Sequence, residues 1–185
     1  MRLSNETYEE IKRAFANMLV DYDIKGIPIN AFEIAIKIGL KLVPYSTLSK
    51  EERLETIKFN RDGFSVEKND GDWIIYFQDE NVPFTRINQT IMHEIGHYIL
   101  GHLIDGEEEE AEAKFFAKYA LASPVLIHHM KSEVTVENVM EEFDIGFQAA
   151  GYAIGNYRNW LRFGDDEYTD YEIDIIKQLE LEATA

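Results

Sequence analysis

The segment Met92-His93-Glu94-Ile95-Gly96-His97 sets two histidines four residues apart around a glutamate. In a helix this spacing projects both imidazoles from one face, one turn apart. Two ring nitrogens can then reach one divalent ion at about 2.0–2.1 Å. Glu94, beside the first ring, is placed to act on a water at that ion without being a ligand itself. The chemistry such a set supports is metal-assisted hydrolysis with a carboxylate as general base. Ile87, Ile91, Ile95 and Ile99 recur at i+4 on another face and give the helix a dry side to lay against a sheet. The plainer alternative is two hydrogen-bonded histidines on a half-buried helix.

A hydrolytic zinc takes three protein ligands and one water. The next segment, Glu107 to Ala117, offers several carboxylates on a second helix joined to the first by a short link. Glu112 shares a face with Phe116 and Tyr119, whose aromatic rings would point it inward, so Glu112 is the expected third ligand. Glu109, nearly one turn earlier, is the reserve. Glu107, Glu108 and Glu110 read as solvated acids at a helix N-terminus, where negative charge complements the macrodipole. His102 lies five residues past His97, about 500° around a helix, and is set aside as a ligand. His128 and His129 follow Pro124 with no ligand spacing.

The elements that must position these groups follow from the pattern. A first helix is expected from about Ser4 to Tyr22, with Thr7 and Glu10 at capping-box spacing, and a second from Asn30 to Gly39. Leu40 to Tyr45 reads as a strand. Alternation at Ile57 and Phe59, then at Phe64 and Val66, predicts two more strands, with turn chemistry at Arg61-Asp62-Gly63 and Asn69-Asp70-Gly71. Trp73 to Phe77 is apolar throughout, as in a strand covered on both faces. Pro83 and Thr85 open the metal-binding helix, which runs to about Gly101; a link from His102 to Gly106 leads to Glu107–Ala122. Helices are also expected over Thr135–Phe143, Phe147–Phe163 and Thr169–Leu181. The fold class is α+β: mostly helical, with a small antiparallel or mixed sheet packed on the histidine helix, as in zincins. Residues 1–125 form the expected core, and 126–185 a C-terminal helical region packed on it.

Composition narrows the partners. Eighteen Lys+Arg stand against 35 Asp+Glu, a net charge of −17, which disfavours phosphate backbones and anionic lipid surfaces. The absence of cysteine excludes a disulfide scaffold, a thiol nucleophile and a Cys-based zinc module. No run is long and apolar enough for a membrane span, and the first residues lack the apolar core of a signal peptide, so a cytoplasmic protein is expected.

The stretch H-E-I-G-H-Y-I-L-G-H, followed by E-A-K-F-F-A-K-Y-A-L-A-S-P, resembles the ImmA/IrrE family of zinc metallopeptidases. That family shows H-E-x-G-H and then E-A-N-x-F-A with a leucine pair and a proline. The likeness extends to Ile27-Pro28, to Leu42-Val43-Pro44-Tyr45 and to Phe143–Ala150, similar to an F-x-V-S-x-x-A-A turn, and so covers about 27–165. It implies His93, His97 and Glu112 as ligands of Zn²⁺ (Mn²⁺ or another divalent ion being an alternative) and Glu94 as the base. It also implies an endopeptidase that cuts a transcriptional repressor and so derepresses mobile-element or stress genes. Lys114 stands where the family has Asn, and Ala120 where it has the first leucine. Phe116 stands where a thermolysin-like Asp would follow Glu112. Tyr98 and Tyr119 are the candidate oxyanion donors.

A different class of function is a non-catalytic, metal-bound regulator that binds a repressor. DNA binding through a helix-turn-helix at 136–162 is a further alternative. That hairpin carries Arg158 and Arg162, but Asp165, Asp166 and Glu167 follow at once. A helical hairpin docking a protein partner fits this charge better.

Overall fold

Local signals set most helix boundaries in the computed structural model, which describes residues 2–68, 71–103, 106–164 and 167–181. The expected turn at 69–70, the middle of the link at 104–105 and the acids at 165–166 lie outside the described residues. Helix α1 (Asn5–Asp21) starts at Ser4, whose hydroxyl accepts the Thr7 N–H, one turn before the expected cap. Helix α2 (Ala31–Ile38) is capped by Asn30 and ends at Gly39 in the left-handed region, φ 92°.

Strand β1 (Lys41–Pro44) is followed by helix α3 (Lys50–Phe59), where the alternation of Ile57 and Phe59 predicts a strand. The reason is at the helix start. Ser49 and Glu52 form a complete capping box, and the helix-favouring run Lys50-Glu51-Glu52-Arg53-Leu54-Glu55 then carries α3 across the surface with no residue fully buried. Two alternating apolar positions are too few to outweigh a capped helix. Strands β2 (Gly63–Glu67) and β3 (Trp73–Phe77) follow the pattern. The sheet is mixed: β3 lies between β1, which is parallel to it (Lys41 opposite Ile74), and β2, which is antiparallel (Gly63 opposite Phe77). Central β3 buries Ile74, Ile75 and Phe77, which explains its unbroken apolar sequence.

Helix α4 (Phe84–Ile99) lays Ile87, Ile91 and Ile95 into the core. Its Asn88 is buried and pinned: Oδ1 accepts the Ala31 N–H at 2.7 Å, and Nδ2 donates to the Ile29 carbonyl at 3.0 Å. These bonds tie α4 to the start of α2 and fix which face of α4 looks outward. Helix α5 (Glu107–Ala122) packs along α4, and short α6 (Pro124–His128) follows. Helices α7 (Val136–Phe143) and α8 (Phe147–Phe163) flank a left-handed turn at Asp144, φ 47°. Helix α9 (Asp170–Gln178) opens on a Thr169–Glu172 capping box and packs on α1. One buried apolar cluster runs from Leu3 to Leu179. No helix among the described residues is long and apolar enough to cross a membrane.

Candidate metal centre

The outward face of α4 carries His93 and His97 with their Nε2 atoms 3.2 Å apart. Glu110, from the first turn of α5, completes the group: its carboxylate oxygens lie 3.3 Å from His97 Nε2 and 3.7 Å from His93 Nε2. One ligand atom from each residue lies within 4.8 Å of the others, and this is the metal-compatible cluster among the described residues. A tetrahedral ion with bonds of about 2.0–2.1 Å holds its ligands about 3.3 Å apart, so the three donors fit a divalent cation. Burial first, and then the neighbouring His97, push His93 down to about 4, leaving its ring neutral at physiological pH. Burial would raise Glu110, but Lys114, bonded at 3.1 Å, outweighs it together with His93 and His97, and the carboxyl titrates below its ordinary range. Two imidazoles and one carboxylate are the donor set of a hydrolytic zinc site.

Glu112 is not at this cluster, contrary to the sequence expectation. Residues two apart on a helix differ by about 200°, so Glu110 and Glu112 cannot face the same partner. Glu112 turns to His102, with Oε2 2.9 Å from Nε2, and His102 Nδ1 lies 2.9 Å from His97 Nδ1. The geometry that excluded His102 assumed a continuing helix. Instead α4 ends at Ile99, and Gly101 in the left-handed region (φ 70°) turns the chain so that the His102 N–H meets the His97 carbonyl at 3.0 Å. The reserve, Glu109, folds back over Gly106 at the start of its own helix, while Glu107 and Glu108 are exposed. A sequence signal for Glu110 does exist. Ala113 and Ala117, three and seven residues on, are buried small residues on the face that approaches α4. The matching small residue on α4 is Gly96: a Cβ there would meet the Phe116 ring at 3.1 Å and the Ala113 Cα at 3.3 Å.

Glu94 is buried, and the Ser65 hydroxyl of β2 donates to its Oε2 at 2.7 Å. β2 can come this close because Gly63 has no side chain; a Cβ there would meet Thr90 at 2.6 Å. Ser65 escaped the sequence reading because nothing local marks a polar strand residue as the partner of a helix 29 positions away. Around the four residues opens a cleft of about 650 Å³ between β2 with the end of α3, the polar face of α4, the first half of α5 and the start of α8. Phe59 and Phe147, 73% and 68% exposed, stand on its rim. Asp62 and Arg86 form a two-pronged ion pair in the same wall.

Lys114, in the place of the family's Asn, is four residues beyond Glu110 and bonded to it, so the departure falls beside the candidate ligand. Ala120 is fully buried. Tyr98 packs edge-on against Trp73, and Tyr119 is buried against Phe15; neither lines the cleft, so neither is placed as an oxyanion donor. His128 and His129 lie in an aromatic cluster with Tyr157, Trp160 and Tyr168, apart from the α4 histidines.

No curated protein matches the chain. The sequence model of peptidase family M78, described as the IrrE N-terminal-like domain, matches residues 51–154, which contain α4, the first turn of α5 and Ser65. With more than half of its length matched, the chain belongs to this family of peptidases.

Proposed function

We propose that the protein is a zinc-dependent endopeptidase in which His93, His97 and Glu110 hold the ion and Glu94 is the general base. The observation that carries this reading is the convergence of three donors at tetrahedral spacing beside a carboxylate held by a second element. When bound, the cation supplies Lewis-acid polarisation of a carbonyl and lowers the pKa of water to about 7. Glu94 takes the water proton and passes it to the leaving amine. Ser65 fixes the rotamer of that carboxylate through Oε2, so that it meets the water in one orientation. The open cleft admits a chain segment, and Phe59, Phe64 and Phe147 offer apolar walls for side chains near the scissile bond.

The substrate proposed is a transcriptional repressor met in the cytoplasm, whose cleavage derepresses mobile-element or stress genes. Support for this part comes from the resemblance of the H-E-I-G-H and Phe143–Ala150 segments to the ImmA/IrrE family. The test pairs metal analysis with cleavage of a helix-turn-helix repressor. Wild-type protein is expected to hold one zinc and cut the repressor, while Glu94→Gln holds the same zinc and cuts at least about a hundredfold more slowly. A zinc-loaded wild-type protein that leaves such repressors intact overturns the substrate; Glu94→Gln cutting at full rate overturns the base.

A further inference from the structure

The donor set just proposed leaves His102 and Glu112 unexplained, although both sit against it. His102 is nearly enclosed, its side chain 7% exposed, and lies between a candidate ligand and a carboxylate with 2.9 Å contacts on both sides. Resting on the ligand set of the proposed function, we propose that His102 and Glu112 form a hydrogen-bonded relay that holds His97 in its metal-binding tautomer.

The proton positions follow from the geometry. If Nε2 of His97 offers its lone pair to the ion, the neutral ring carries its proton on Nδ1. That proton points at His102 Nδ1, which must therefore be the acceptor. His102 then carries its own proton on Nε2, where Glu112 Oε2 accepts it. The opposite tautomer of His102 would set two N–H groups against each other at 2.9 Å and turn a lone pair toward a carboxylate. Glu112 in this way fixes the ring of His102, and His102 the ring of His97, as an outer partner orients a ligand. Gly101 is what delivers His102: its left-handed conformation reverses the chain immediately after α4.

The test reads tautomers and metal affinity. In zinc-loaded protein labelled with ¹⁵N-histidine, His97 is expected as the Nδ1–H tautomer and His102 as the Nε2–H tautomer. His102 found as Nδ1–H overturns the relay. In a chelator competition, His102→Phe is expected to bind zinc roughly 10–100-fold more weakly than wild type. Glu112→Gln, which still accepts the Nε2–H without the charge, loses less. A folded His102→Phe protein with wild-type zinc affinity overturns the proposal. Should wild type take up no zinc, the ligand set fails, and the His102 tautomer in the metal-free protein still decides the hydrogen-bonded pair.

Discussion

Two histidine pairs lie in this chain, and they have different fates. His93 and His97 are four apart on α4, so their Nε2 atoms meet 3.2 Å apart over one cleft. His128 and His129 are adjacent at the end of α6, about 100° apart around its axis. His128 Nδ1 bonds the Tyr157 hydroxyl at 3.1 Å, its ring 5.1 Å from Trp160, while His129 Nδ1–H donates to the Val125 carbonyl at 2.8 Å. Among the described residues no carboxylate pairs with His128 or His129, whereas from α5 Glu110 meets the α4 pair and Glu112 meets His102 beside it. Histidine chemistry in this molecule is set by where the second nitrogen and the nearest acid fall.

Removing one member from each pair gives the largest contrast. His97→Ala or Glu110→Gln should cost zinc affinity by more than about a hundredfold, beyond the loss from any supporting residue. His129→Ala should leave stoichiometry and affinity unchanged. Equilibrium dialysis with elemental analysis decides it; zinc retained in His97→Ala at wild-type affinity would erase the distinction between the pairs.

A smaller effect sharpens the reason α4 can share a site with α5. Gly96 gives the helices their close approach, and a methyl there must displace Phe116 and the Ala113 backbone by a few tenths of an ångström. Gly96→Ala should destabilise the metal-free protein by about 1–3 kcal/mol through overpacking. Zinc affinity should fall by less than about tenfold, since Glu110 is shifted rather than removed. Urea titration of metal-free protein reads the first quantity; wild-type stability would mean that the helices tolerate a wider separation than their packing implies.

How much of this was legible in the sequence varies with the range of the interaction. The spans of α4 and α5, the α8 boundaries and the existence of β3 as a buried strand follow from periodicity, prolines and an unbroken apolar run, all local signals. The strand expected at Ile57 and Phe59 failed because two alternating residues carry less information than the capping box at Ser49 and Glu52. The convergence of His93 and His97, with Glu94 beside them, was legible because one helix turn fixes their geometry. The approach of Glu110 to them was not, because the helix face that approaches α4 is set by Gly96 against Ala113, a contact between elements. Judging α5 by its aromatic face put Glu112 forward, and that face leads one layer out, to His102. Ser65 reaches Glu94 only through the sheet, and no spacing rule predicts it.

The smallest expected effect separates what the two pairs share from what divides them. Burial first, and then its neighbour His129, lower the pKa of His128, as burial and His97 lower that of His93. A histidine depressed in the fold is protonated first in the unfolded chain, whose pKa is about 6.5. The contribution to stability is therefore full above that value, is lost as pH falls from about 6.5 toward the lowered folded pKa, and is constant below it. Replacing His128 by Phe keeps an aromatic ring among Tyr157, Trp160 and Tyr168 and removes the titration. Thermal midpoints of metal-free wild type and His128→Phe should run parallel above about pH 7 and differ in slope as pH falls below about 6.5, wild type falling faster. Because His93 titrates in the same sense in both proteins, the difference between the curves isolates His128. Parallel curves throughout would mean that the aromatic cluster does not disfavour the charged ring. A depressed histidine is thus a property of burial common to both pairs; what sets the α4 pair apart is the carboxylate brought across from α5.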